Sequence, residues 1–196
     1  HPNVFFSEPK EPFFLCDDYP HLRKQHFLET EADYLKLFAG AEQNVHSVVG
    51  EGSTNYLRST VAVQKALALS PDARFIVMLR NPVDVAHAFH MEQLFARNED
   101  EPDFETAWRL QEPRARGEKI PQNCRAPEFL QYREVANFPE QLRRFFTLVP
   151  REKRMVILQE DLARQTASVY RDTLAFLNLP DDGRKVFEPV NSSHAH

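Results

Sequence analysis

The chain has 196 residues, 42% of them hydrophobic and 27% charged, a balance that suits one domain with a sizeable core. Its net charge of −5 argues against sequence-independent nucleic-acid binding and against a long polyanionic glycan as substrate, both of which call for a basic footprint. Two cysteines, Cys16 and Cys124, are too few for a disulfide framework or a metal site of their own, five glycines leave no Gly-rich phosphate loop of the usual kind, and no apolar run is long and uncharged enough for a transmembrane helix.

Residues 1–14 are punctuated by Pro2, Pro9 and Pro12 and read as an extended loop or edge segment, pinned to a core by the pairs Phe5-Phe6 and Phe13-Phe14. Lys10-Glu11 lies between these pairs, a candidate for chemistry or else a pair of solvated loop charges, and Pro12 is expected to restrain Glu11 towards an extended conformation. Residues 19–40 read as a helix or helix pair with Leu28, Ala32, Leu35 and Phe38 near helical spacing and Gly40 at the C-cap. A short apolar run at 45–49 reads as a strand, emptying into Gly50-Glu51-Gly52-Ser53-Thr54. There the glycines permit close backbone approach to a ligand and the hydroxyls serve as ligands or as a helix cap. An amphipathic helix follows over 59–70.

Residues 75–79, FIVML, form a buried strand of a parallel sheet, ended by Arg80. Asn81 suits an N-cap and Pro82 the first helical position, so a helix is expected from Pro82 to about Arg97. The segment 98–102 reads as a charged linker, and Asp103 caps a further helix through Trp108 and Leu110. Residues 111–127 read as a long structureless loop, functional or mobile. Residues 128–148 read as helical, with Pro139 kinking the helix or starting a new one. A third strand over 155–158, an amphipathic helix over 166–177 and a polar tail over 181–196 complete the chain. Strand, helix, strand, helix in this order predicts a parallel α/β unit with a right-handed crossover.

Among candidate site residues Arg80 stands first. A guanidinium at the carboxyl end of a buried strand, beside a helix N-terminus, suits anion binding, although an acidic neighbour could equally claim it. His87, His90 and Glu92 follow on the helix without an HExxH-type pair or a Cys/His cluster, so no metal site is expected. No G-x-S-x-G elbow supports a Ser/His/Asp nucleophile, and Ser192, Ser193, His194 and His196 read as a loose tail. Arg143-Arg144 reads as a solvated helix edge. Arg114, Arg116, Lys119 and Arg125 read as loop cations, either closing over an anionic cofactor or simply solvated.

Taken together, these residues resemble a known family. His1-Pro2-Asn3-Val4 with Lys10-Glu11-Pro12-Phe13-Phe14, then the blocks at 50–57 (GEGSTNYL), 75–88 (FIVMLRNPVDVAHA), 136–142 (ANFPEQL), 156–162 (VILQEDL) and 176–180 (FLNLP), resemble in order the blocks of sulfotransferases that use 3′-phosphoadenosine 5′-phosphosulfate, especially the bacterial and heparan-type branch. The resemblance implies a P-loop-NTPase-like three-layer α/β fold with a central parallel sheet flanked by helices. It implies a single domain over 1–196 that lacks the N-terminal phosphate-binding strand and loop and the C-terminal end past Asn191. It implies that Arg80 binds the nucleotide 3′-phosphate, that Glu11 is the general base and that Lys10 neutralises charge at the bridging oxygen, with no metal. The family's second phosphate ligand, a Ser, is Ala88 here; His87 is its neighbour and candidate replacement, and a family Lys is Gly52. The implied acceptor is a small molecule, a carbohydrate or a lipid, and the implied setting is cytoplasmic, or a Golgi lumen for a membrane-anchored parent. A P-loop small-molecule kinase and a non-catalytic nucleotide-binding relative are the alternatives. Strand ends at Gly50, Arg80 and Gln159 offer no Mg²⁺ carboxylate, which disfavours the kinase, whereas Ala88 is the best support for the non-catalytic relative.

Overall fold

A computed structural model describes residues 1–188; the predicted tail residues Asn191, Ser192, Ser193, His194 and His196 lie outside them. In chain order the elements are β1 (Val4–Phe6), α1 (Pro20–Arg23), α2 (Glu31–Lys36), β2 (Val48–Gly50), α3 (Ala62–Leu69), β3 (Phe75–Leu79), α4 (Pro82–Phe95), α5 (Phe104–Arg109), α6 (Gln111–Ala115), α7 (Tyr132–Val135), α8 (Phe138–Leu148), β4 (Arg154–Leu158), α9 (Gln159–Arg164) and α10 (Thr166–Phe176). Short 3₁₀ turns lie at Thr54–Tyr56, Pro127–Leu130 and Arg151–Lys153. None of the described helices is long and apolar enough to cross a membrane.

All strand pairing is parallel, as the alternation of strands and helices requires. β1 pairs with β2 in the register Val4↔Val48 to Phe6↔Gly50, and β3 with β4 from Phe75↔Arg154 to Leu79↔Leu158. The mixed α/β class is thus met, but the described strands form two separate two-stranded ladders and not one central sheet. Side-chain alternation along β3 explains how the second ladder is covered. Val77 points into a core with Val63 of α3 and Phe145 and Val149 on the α8 side, while Ile76 and Met78, on the opposite face, stay exposed.

Several elements differ from expectation for identifiable reasons. Residues 19–40 hold two short helices separated by a turn at Phe27, whose φ is 54°, so the proposed stripe is not continuous. Leu35 faces solvent, and it is Tyr34, stacked on Phe14, that α2 buries. Gly40 caps no helix: a Cβ there would come within 3.1 Å of the Phe5 ring, so a larger residue would require that ring to give way. Pro139 starts α8. The segment 111–127 opens with a helix, α6, and is tied down by charge. Arg114 and Glu99, with side chains 1% and 0% exposed, form a bidentate pair at 2.6 Å on each arm, and the Tyr132 hydroxyl donates to the same carboxylate at 2.6 Å. Glu99 is therefore no solvated linker charge, nor Arg114 a free loop cation. Arg144 is likewise engaged, donating from Nη2 to the carbonyls of Leu57 and Arg58 at 2.9 and 2.8 Å, while Arg143 stays exposed.

Candidate functional site

The candidate site begins with the strap of residues 10–16. Pro12 through Cys16 are buried, so the chain must turn inward immediately after Lys10-Glu11. It does so with Glu11 at φ 55° and Phe13 at φ 49°. The expected extended Glu11 is not observed: burying both Pro12 and Phe13 bends the chain through the left-handed region instead. That region costs an L-residue on the order of 1–2 kcal/mol, so other contacts must hold it.

Those contacts converge on Glu51. Ser53 Oγ donates to one Glu51 oxygen at 2.6 Å and accepts the Phe13 N–H at 3.1 Å. The Tyr56 hydroxyl donates to the other oxygen at 2.5 Å and accepts the Leu15 N–H at 3.3 Å. The Tyr34 hydroxyl donates to that second oxygen as well, at 3.1 Å. One carboxylate thus fixes three hydroxyls, and two of them, on Ser53 and Tyr56, each receive one strap amide. Burial, and after it the Glu51 charge, raises the pKa of both tyrosines, so they remain donors throughout the ordinary pH range. Neither the Ser53 nor the Thr54 side chain caps a helix here; Val61 holds the N-cap position of α3, and the Ser59 hydroxyl just before it accepts the N–H groups of Val61 and Ala62.

The lock leaves Lys10 and Glu11 outside the buried part of the strap. Lys10 Nζ lies 3.5 Å from Glu11 Oε1, with side chains 79% and 29% exposed. The Cys16 thiol has no place in the chemistry, since burial, followed by the Asp18 charge, pushes its pKa up to about 12.

Arg80 stands at the end of β3, beside the N-terminus of α4, which Asn81 caps through its side chain on the Val83 N–H at 2.9 Å. Its guanidinium, 44% exposed, lies 3.7 Å from the Asp84 carboxylate. The acidic neighbour is therefore real, but an exposed contact of this length contributes little and exchanges readily. His87 is exposed, and its ring meets Phe104 edge-on with centroids 5.3 Å apart. His90 is fully buried; its Nε2 is 2.8 Å from the Glu101 carbonyl, which makes it a packed histidine.

α4 links the two halves. Phe89 packs with the cluster of Phe13, Leu22, Ala126 and Phe129, so the middle of the helix sits against the strap. One turn on is Glu92, about 15 Å along the axis from Pro82. Although the residue as a whole is exposed, its carboxyl is partly desolvated and senses the Glu11 charge, and both effects raise its pKa. From sequence Glu92 was weighed only beside His87 and His90 for a metal site, and Glu51 was not singled out. The hydroxyls at two and five residues beyond Glu51 are the signal that would have pointed to it.

No protein-family model matches the chain, and no curated protein matches its sequence. Among solved structures, a sulfotransferase from Alicyclobacillus acidocaldarius is 30% identical, with a TM-score of 0.77, over 96% of this chain and 78% of that one. The sulfotransferase domain from the curacin biosynthetic pathway is 18% identical, with a TM-score of 0.48, over 76% of this chain and 44% of that one.

Proposed function

The chain belongs to the sulfotransferase family, and on that premise we propose that it moves a sulfuryl group from 3′-phosphoadenosine 5′-phosphosulfate to a hydroxyl or amine of a small-molecule, carbohydrate or lipid acceptor. The observation that carries this reading is the strained strap, locked through Glu51, that holds Lys10 and Glu11 together at its accessible end. Strain held by surrounding contacts clusters at functional sites, and here it adjoins a charged pair. The reaction parallels phosphoryl transfer, in which positioning and charge stabilisation dominate, and it needs no metal.

Glu11 takes the proton of the acceptor hydroxyl as the new S–O bond forms, a contribution of roughly 10²–10⁴ in rate. Lys10 neutralises the charge that develops on the departing bridging oxygen. Arg80 holds the nucleotide 3′-phosphate at the N-terminus of α4, where a doubly charged phosphate outcompetes the exposed Asp84 carboxylate. His87, in place of the family Ser at Ala88, supplies a second contact to that phosphate once it turns from Phe104. In the same reading the two parallel ladders belong to one P-loop-NTPase-like, three-layer domain.

Calorimetry on the full-length protein tests the proposal with adenosine 3′,5′-bisphosphate and adenosine 5′-monophosphate. The bisphosphate is expected to bind more tightly, without added metal, and Arg80→Ala to remove about 1.5–3 kcal/mol of its affinity. Equal affinity for the two nucleotides would remove the 3′-phosphate role of Arg80.

A further inference from the structure

A cavity of about 620 Å³ opens beside the strap. Its floor is Leu22, Ala126 and Phe129, the same residues that pack against Phe13 and Phe89. Ala96 of the segment after α4 also lines it, and Phe89, Glu92 and Ala96 recur at spacings of three and four, on one face of the helix. Glu92 lies on that face between Phe89, which packs on the cavity floor, and Ala96, which lines the cavity.

The rim carries cations in a chain of net charge −5. Lys24 and Arg125 both line the cavity, both are exposed, and neither side chain makes an ion pair or hydrogen bond among the described residues. His21, also at the rim, is turned towards Glu128, with Nδ1 3.8 Å from its carboxylate, so Glu128 is engaged by His21. Behind the floor a third cation is stacked: the Arg58 guanidinium lies 5.1 Å from the Tyr19 ring centroid and 5.5 Å from that of Phe129. Its Nη2 donates to the Glu128 carbonyl, but its Nη1 is buried without an acceptor. Near the cavity in sequence, Phe27 and Phe95 are 89% and 92% exposed. Unpartnered Lys24 and Arg125 around an apolar floor describe a receptor for a molecule with an apolar body and an anionic group.

We propose that this cavity is the acceptor subsite and that Lys24 and Arg125 select an acceptor carrying a carboxylate or other oxyanion group. The proposal rests on the sulfotransferase reading and names its substrate class. It agrees with the acidic net charge, because two rim cations suit a single anionic group and a long polyanion would be repelled elsewhere on the surface.

The test uses p-nitrophenyl β-glucuronide and p-nitrophenyl β-glucoside, which share an aryl and sugar body and differ in the carboxylate. Their binding to the full-length protein is measured by calorimetry, with and without adenosine 3′,5′-bisphosphate. The glucuronide is expected to bind about ten-fold or more tightly than the glucoside, the value of one charge-assisted contact. The difference should shrink to within about three-fold in Lys24→Gln/Arg125→Gln, with glucoside affinity unchanged. Equal affinities in the parent, no glucuronide binding at millimolar concentration, or a preference retained in the double variant would each overturn the assignment. Failure of the bisphosphate to bind would instead strike the sulfotransferase reading, since the anion preference is also read in its absence.

Discussion

Arg114→Met isolates the buried ion pair. Glu99 accepts both arms of Arg114, the Tyr132 hydroxyl and the N–H groups of Asp100 and Glu101 at 2.9 and 3.0 Å. Removing the guanidinium strands a carboxylate with no solvent access, a change that costs about 3–5 kcal/mol in buried pairs. The remaining donors place this case near the lower end, about 3 kcal/mol. Burial alone would raise the Glu99 pKa; the hydrogen bonds from Arg114 and Tyr132 outweigh it and bring the pKa below the usual value. A depressed folded pKa means that the contribution is complete above the unfolded value of about 4.3 and is lost as pH falls through the folded value. Without Arg114 the desolvation is opposed only by neutral donors, so protonation relieves the variant. Urea unfolding followed by Trp108 fluorescence should therefore show a gap of about 3 kcal/mol at pH 7 that begins to narrow above the unfolded value of about 4.3, as the variant is protonated, and narrows further below it. A gap under about 1 kcal/mol at pH 7, or one constant down to pH 3.5, would refute the account. Replacing both partners, as in Glu99→Leu/Arg114→Met, should recover most of the loss.

Glu11→Gln keeps the shape of the proposed base but cannot take a proton, and should lower kcat by roughly 10²-fold or more with bisphosphate affinity unchanged. Turnover within a few-fold of the parent, with Glu92→Gln inactive, would move the base to Glu92. Glu51→Gln replaces one carboxylate oxygen by an amide and breaks the lock on Ser53 or on the tyrosines. It should reduce kcat by about ten-fold while bisphosphate affinity holds, because it loosens the strap and not the Arg80 end. Ser53→Thr, which retains the hydroxyl, should stay near the parent, and Ser53→Ala should follow Glu51→Gln; the reverse order would exclude the lock.

The boundary between β3 and α4 was legible because Asn81 and Pro82 act locally: one caps an N–H and the other lacks one. The strap was legible as a place but not as a conformation. Pro12 alone favours an extended Glu11, and the left-handed turn is imposed by partners 40 residues away at Ser53 and 41 away at Tyr56. The same limit hid Glu51 and the pair of Glu99 with Arg114. A charged residue reads as solvated until its long-range partner is known, and composition carries no sign of who faces whom. Lys24 and Arg125 were invisible as a pair because 101 positions separate them in the chain and long-range contacts join them, among them the packing of Leu22 on Ala126 and the His21 ring on the Arg125 carbonyl.

The division of the strands into two ladders bears on how the described chain behaves at high concentration. Among the described residues no further strand pairs with the outer edge of either ladder. Phe6, Val49, Met78 and Leu158 add exposed apolar side chains to the same strands. Open edges with apolar flanks are templates for pairing with another copy. The 196-residue chain on its own is expected to self-associate as its concentration rises, with light scattering increasing before any loss of helical signal, and a lysine placed at Met78 should suppress that association without touching the strap.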